Sequence, residues 1–170
     1  MAEAVILCRI QGKMAGKKSI CFSIALKNEI LQRAVDLLSR REHSAKELAN
    51  KLSVKGYGFG DIAPVIEYLQ GKNYQSDERF ADSVLRSRMT KGYGWRYIQN
   101  ELSQKGVSGC IIGEVVKNHQ IDWYLQAELA YNKRFGETEF KDQKDKAKRI
   151  RFLQYRGFST DEIMAAMKTN

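Results

Sequence analysis

A pattern of leucine, glycine and isoleucine recurs three times along the chain at almost constant spacing, and it limits the possible folds sharply. Leu52, Gly56, Tyr57, Ile62, Val65 and Ile66 map at an offset of 50 residues onto Leu102, Gly106, Val107, Ile112, Val115 and Val116. A further offset of 51 reaches Leu153, Gly157, Phe158, Ile163, Ala166 and Met167. A basic residue, Lys55, Lys105 or Arg156, stands before each glycine. Self-similarity at such a period means tandem units of supersecondary structure that bury their apolar faces by stacking. The more conspicuous repetition, Lys-Gly-Tyr-Gly at 55–58 and again at 91–94, is not the repeat unit. At its offset of 36 residues the flanking apolar rows fall out of step.

Leu48 with Leu52, Ile98 with Leu102, and the row over residues 146–153 recur at helical spacing, so an amphipathic helix leads into each glycine. Glycine then takes the left-handed position just past the helix end. The basic residue before it faces the negative end of the helix dipole, and the apolar residue after it closes the turn. Restart signals follow. Ser44 with Glu47 and Ser159 with Glu162 form capping boxes, Ser108 is a candidate cap, and Asp61 precedes a helix that takes Pro64 in its first turn. One more helix comes before each pair: Ile30, Ala34, Val35 and Leu38 match Phe80, Val84, Leu85 and Arg88, while Tyr124, Ala127 and Tyr131 mark the third counterpart. Residues 134–148 are longer and more charged than their counterparts, which predicts an extended second helix in the third unit. The expected fold is therefore all-α, with three tandem three-helix repeats stacked into an elongated arch or rod. The repeats span residues 28–76, 77–119 and 120–170. Residues 1–27 lie outside the register, and their apolar stretches at 4–10 and 19–26 fit short strands or a helical cap alike. Repeats with capped ends need no partner to close them, so a monomer is expected.

Charge is the first functional clue. The chain carries 29 Lys and Arg against 20 Asp and Glu, a net charge of +9, which attracts a polyanion or an acidic protein surface. Cys8, Cys21 and Cys110 are odd in number and far apart, so free buried thiols in a reducing, cytoplasmic compartment are expected rather than a disulfide framework. No apolar run approaches the roughly 18 residues of a membrane span, and no membrane partner is expected. A nucleotide site fails on spacing. Residues 12–19, GKMAGKKS, place three residues between the glycines where a phosphate-binding loop needs four, and Lys17 is followed by another lysine. GYGFG at 56–60 follows a helix, whereas the dinucleotide fingerprint follows a strand. His43, His119 and the cysteines lack paired-ligand spacing, and His119 holds the place of Leu69 in the first unit, so core or edge packing is expected there rather than metal ligation. No cofactor, metal or catalytic residue is expected.

The charge excess gathers in two places. Unit two holds Arg86, Arg88, Lys91, Arg96 and Lys105, and unit three holds Lys133, Arg134, Lys141, Lys144, Lys146, Lys148, Arg149, Arg151 and Arg156. Asp82 with Arg86 and Asp142 with Lys146 have the spacing of surface ion pairs, each worth about 0.3–0.5 kcal/mol. Taken singly these cations read as solvated helix faces; taken as clusters they read as a binding surface. Sequence-specific DNA reading is disfavoured, because the third helices, DIAPVIEYLQ, SGCIIGEVVKNHQ and STDEIMAAMKTN, offer apolar and acidic side chains where base edges demand Arg, Lys, Asn or Gln. Weak nonspecific phosphate contact through the first and second helices stays open.

Residues 77–107, DERFADSVLRSRMTKGYGWRYIQNELSQKGV, closely resemble the central signature of the RecX regulatory proteins: Asp-Glu-Arg-Phe-Ala, Arg-x-Arg, Lys-Gly-x-Gly, Ile-x-x-Glu-Leu and Lys-Gly in order. LQYRGFSTDEI at 153–163 resembles that family's closing motif, and the likeness covers roughly residues 30–170. The resemblance implies three tandem three-helix repeats, which the register reaches independently. It also implies binding to the RecA recombinase filament along its helical groove. Inhibition of filament growth, strand exchange, ATP hydrolysis and co-protease activity would follow, with no catalytic residues. The candidate contacts are Arg86, Arg88, Lys91, Arg96 and Lys105, joined by Lys148, Arg149 and Arg151, with Tyr93 and Tyr97 as aromatic anchors; Tyr93 reads equally as the apolar residue that closes a helix end. Trp95 stands where the family often has proline, and residues 1–27 match nothing in it. The rival reading is a general single-stranded nucleic-acid binder that competes with RecA only by occupying DNA.

Overall fold

The computed structural model of the chain describes residues 25–136 and 138–168. Every regular element among them is an α-helix: residues 25–38 (α1), Ala45–Val54 (α2), Phe59–Gly71 (α3), Asp77–Thr90 (α4), Trp95–Gln104 (α5), Gly109–His119 (α6), Trp123–Phe135 (α7), Gln143–Tyr155 (α8) and Thr160–Lys168 (α9). They form three three-helix repeats, α1–α3, α4–α6 and α7–α9. Contact density divides the chain into two compact units, Met1–Gln75 and Ser76–Asn170, so the second unit holds two repeats. The near-miss phosphate loop, Cys8, Cys21 and the apolar stretch at 4–10 lie outside the described residues.

Each repeat closes over its own apolar cluster. Ile30, Ala34, Leu48, Leu52, Ile62 and Leu69 are buried in the first, Phe80, Leu85, Ile98, Leu102, Val107 and Ile112 in the second, and Ala127, Tyr131, Leu153, Phe158 and Ile163 in the third. Most of the repeating apolar positions fall in these clusters. Val35 and Tyr124 do not: both are exposed, because the first helices align at 51 residues, setting Ile30 and Ala34 over Ala81 and Leu85, all four fully buried.

The helix stops have the expected geometry. Gly56, Gly106 and Gly157 take φ of 95°, 82° and 86°. In the second repeat the Gly106 and Val107 amides donate back to the carbonyls of Ser103 and Leu102; in the third, those of Gly157 and Phe158 donate to Gln154 and Leu153. These paired bonds satisfy carbonyls that the helix leaves orphaned. Ser44, Ser108 and Ser159 accept from the amides of Glu47, Ile111 and Glu162, and the Glu162 carboxylate accepts in return from the Ser159 amide at 2.8 Å.

Four expectations are corrected. Helix α3 starts at Phe59 with Gly58 as its cap, so Asp61 sits within the first turn and Pro64 in the second. Pro64 and Gly60 are both exposed, and solvent can serve the carbonyl that proline cannot reach. Helix α8 exceeds α2 and α5 by only 3 residues, 13 against 10, and the rest of the insertion is the connection over 136–142. The Asp142 carboxylate ends that connection by accepting from the Asp145 amide at 2.6 Å, which makes it the cap of α8 rather than an ion-pair partner of Lys146. Cys110 is exposed on the first turn of α6, not buried.

Candidate functional site

The second Lys-Gly-Tyr-Gly stretch lies at the join of the second and third repeats, inside the unit Ser76–Asn170. Lys91 caps α4, Gly92 takes φ of 76°, and Tyr93 donates its amide to the Arg88 carbonyl at 3.0 Å, the closing bond of the helix stop. Gly94 then caps α5 and meets the stop of α8. Its amide donates to the Arg156 carbonyl at 2.7 Å, and the Arg96 amide donates to the Gly157 carbonyl at 3.1 Å. The backbones approach so closely that a Cβ on Gly94 would stand 2.7 Å from the Gly157 carbonyl oxygen. Trp95 at the start of α5 and Trp123 at the start of α7 pack at 6.0 Å between ring centroids, which is the role the side chain takes at the position where proline was noted as usual.

A basic and aromatic cluster is built on this join. The Arg88 guanidinium on α4 donates twice to the Glu101 carboxylate on α5, both bonds at 2.6 Å. Those hydrogen bonds hold the Glu101 carboxyl below its ordinary value against the opposing effect of burial. The rings of Tyr93 and Tyr97 stack at 4.2 Å, and the guanidiniums of Arg88 and Arg156 lie 6.0 and 5.0 Å from the Tyr93 centroid. Arg156 also donates to the carbonyls of Lys91 and Gly92 and covers Phe152 at 4.7 Å. It ties the two repeats together through one terminal nitrogen, Nη1, while its guanidinium lies over the rings of Tyr93 and Phe152, a combination that the point charge of lysine does not offer. No spacing rule marks Arg156 for this task, since its partners lie some 64 residues away.

The ten expected contact residues therefore separate. Lys91 and Arg96 are exposed beside the tyrosine stack. Arg86 is exposed and paired with Asp82 on its own helix. Arg88, Tyr93, Tyr97 and Lys105 are half-buried, and Arg88 already spends its charge on Glu101. Lys148 and Arg151 lie exposed on α8, with no hydrogen bond or ring contact to the cluster among the described residues.

Arg149 is corrected outright, because it is only 3 % exposed and faces inward. Its guanidinium donates to the Asp145 carboxylate at 2.7 Å, the Tyr131 hydroxyl at 2.7 Å, and the carbonyls of Thr138 and Glu139 at 2.8 and 3.1 Å. The rings of Tyr131, Phe135 and Phe140 surround it at 5.0–5.8 Å. The repeat register carries the signal for this burial: 51 residues back from Arg149 is Ile98, and 50 further back is Leu48, both fully buried.

Of the two placements expected for His119, core or edge, it takes the edge. It ends α6 at the surface and bonds the Asp82 carboxylate at 2.5 Å, so Asp82 serves both His119 and Arg86. Burial raises the Asp82 carboxyl, and the hydrogen bonds from His119 and Arg86 outweigh it, leaving a net lowering. No group of three or more His, Cys, Asp or Glu side chains suited to a metal ion occurs among the described residues, and no helix there is long and apolar enough to cross a membrane.

Comparison with known proteins gives a consistent answer along the chain. Residues 31–69, 76–116 and 122–167 match the family models described as the first, second and third three-helix domains of RecX. The chain is 44% identical over 134 residues to a protein of Vibrio parahaemolyticus named regulatory protein RecX, covering 79% of this chain and 86% of that one. A protein of the same name from Haemophilus influenzae is 44% identical over 131 residues, covering 76% and 86%. In fold, the chain resembles the crystal structure of RecX from Lactobacillus salivarius, with a TM-score of 0.68 at 21% identity, covering 84% of this chain and 95% of that one.

Proposed function

This chain belongs to the RecX family of regulatory proteins, and from that membership we propose that it binds the filament of the RecA recombinase and restrains its activities. The activities restrained are filament growth, ATP hydrolysis, strand exchange and co-protease action, so the chain tunes DNA repair, recombination and the SOS response without chemistry of its own. The observation that carries the reading is the match to all three RecX domains in order. Residue geometry supports it more locally. Lys91 and Arg96 stand exposed around a stacked tyrosine pair that Arg88 and Arg156 hold in place. Exposed cations next to a stacked aromatic pair suit an acidic protein surface, where charge sets the rate and register of docking.

The decisive experiment is RecA ATP hydrolysis on single-stranded DNA. Inhibition at stoichiometric chain is expected, and its absence would sink the reading. Lys91→Ala combined with Arg96→Ala should raise the concentration for half-inhibition about tenfold, the equivalent of losing one good charged contact. The rival, simple competition for DNA, requires tight binding to bare single strands that weakens steeply with salt. Titrating labelled single strands at two salt concentrations, with and without RecA, separates the two. Inhibition that appears only where bare DNA is already coated would favour the rival.

A further inference from the structure

Helix α8 carries a second basic surface that uses none of the residues of the cluster at the join. Lys144, Lys148, Arg151 and Tyr155 are all exposed. At about 100° per residue they fall within about 60° of one another, and at about 1.5 Å per residue they span about 16 Å of the helix surface. Tyr155, at the end of this stripe, is 82% exposed. No acidic side chain forms a salt bridge with any of the three cations among the described residues, although the charge of Lys148 is felt by the Asp145 carboxylate. Asp145, the acid of the first turn, is already held by Arg149 on the inward side.

The fold does not require this stripe. Counting back through the repeats, Lys148 corresponds to Tyr97 and Glu47, Arg151 to Asn100 and Asn50, and Tyr155 to Gln104 and Val54. The same helix is thus built twice with neutral or acidic side chains at these positions, and Lys144 lies on the 3 residues by which α8 is longer. Three unpaired cations in a row, leading to a ring that nothing covers, match what a single-stranded nucleic acid offers: phosphates at regular intervals, and a base whose flat face can stack. Charge complementarity calls for a polyanion here, and the flat exposed ring adds a stacking surface for its bases.

We propose that the outer face of α8 is a binding site for single-stranded nucleic acid, in which Lys144, Lys148 and Arg151 hold successive phosphates and Tyr155 stacks on a base. Lys148 and Arg151 thereby leave the set of candidate contacts with a protein partner. The assignment does not rest on the recombinase reading, because the oligonucleotide titration that tests it needs no RecA. The anisotropy of a labelled oligothymidylate is measured with the full chain across a range of salt concentrations. Each phosphate neutralised on a single strand contributes about 0.7 to the slope of log affinity against log salt, so Lys148→Gln with Arg151→Gln should flatten that slope by about 1.4. Tyr155→Ala should weaken binding about tenfold with the slope unchanged, whereas Tyr155→Phe should bind as the native chain does. All these side chains are exposed, and thermal melting checks that each variant is folded. The proposal is overturned if the native chain fails to bind the oligonucleotide, or if the double variant keeps the native slope. It is equally overturned if the double variant keeps native oligonucleotide binding but loses RecA inhibition, which would return the stripe to a protein surface.

Discussion

Arg149 occupies a core position with a charged side chain, and its surroundings show how the chain tolerates that. Two hydrogen bonds to Asp145, one to the Tyr131 hydroxyl and three to the Thr138 hydroxyl and the carbonyls of Thr138 and Glu139 serve the guanidinium. Those carbonyls belong to the connection between α7 and α8, so the charge organises that loop. Arg149→Ala leaves a cavity and several polar groups without a donor, and should lower the unfolding free energy by about 2–4 kcal/mol in urea titration. Arg149→Met refills the space as Leu48 and Ile98 do in the other repeats and should recover part of that loss. An alanine variant as stable as the native chain would show that Arg149 contributes nothing to folding.

At the scale of the element, one device ends several helices, yet its surroundings differ from copy to copy. Gly56 and Gly157 both take φ near 90°, at 95° and 86°. A Cβ on Gly56 would meet nothing within 4 Å, whereas on Gly157 it would stand 2.4 Å from the Tyr97 backbone nitrogen. Gly56→Ala should therefore cost about 1 kcal/mol, the backbone strain alone. Gly157→Ala adds a clash that must part α5 from the stop of α8, and at least about 2 kcal/mol is expected. Equal urea midpoints for the two variants would refute the close approach.

For the whole molecule, the two compact units carry different pH sensors and different optical reporters. His43, only 2% exposed, lies in the first unit. Burial lowers its pKa, with Arg41 and Lys51 adding to the effect and the hydrogen bond that Nδ1 donates to the Glu47 carboxylate opposing it. A histidine that stays neutral in the folded state contributes stability that is complete above its unfolded value of 6.5 and declines as pH falls from there through the folded pKa. The lowered carboxyls of the second unit, Asp82, Glu101 and Asp145, titrate below their ordinary values of 3.8–4.5 and stay silent in that window. Both tryptophans of the chain, Trp95 and Trp123, fall in the second unit. Acidification from about pH 7.5 to about pH 5 should thus lower the melting midpoint read by circular dichroism by an amount that His43→Gln reduces, whereas that substitution should leave the tryptophan midpoint of the second unit as it is in the native chain at each pH. A His43→Gln variant with the native chain's pH dependence would contradict this assignment.

The repeat register by itself determined the helix count per repeat, the glycine stops, three of the caps and most of the core, because those are local consequences of residue type at fixed spacing. The helix end at Gln120, which takes positive φ without glycine, was not legible, since its side chain signals no stop, and the end at Asn73 rests on a residue type that takes the left-handed position less often than glycine does. The candidate surface was legible only as a list of cations. Sequence shows charge, whereas partnership depends on which side chains the fold brings within about 3 Å, so Arg88 proved committed to Glu101, Arg149 buried, and Lys91 and Arg96 exposed. Only the tertiary structure joined Gly94 to Gly157 and set Arg156 against Tyr93 across some 64 residues, because no local rule relates residues that far apart along the chain.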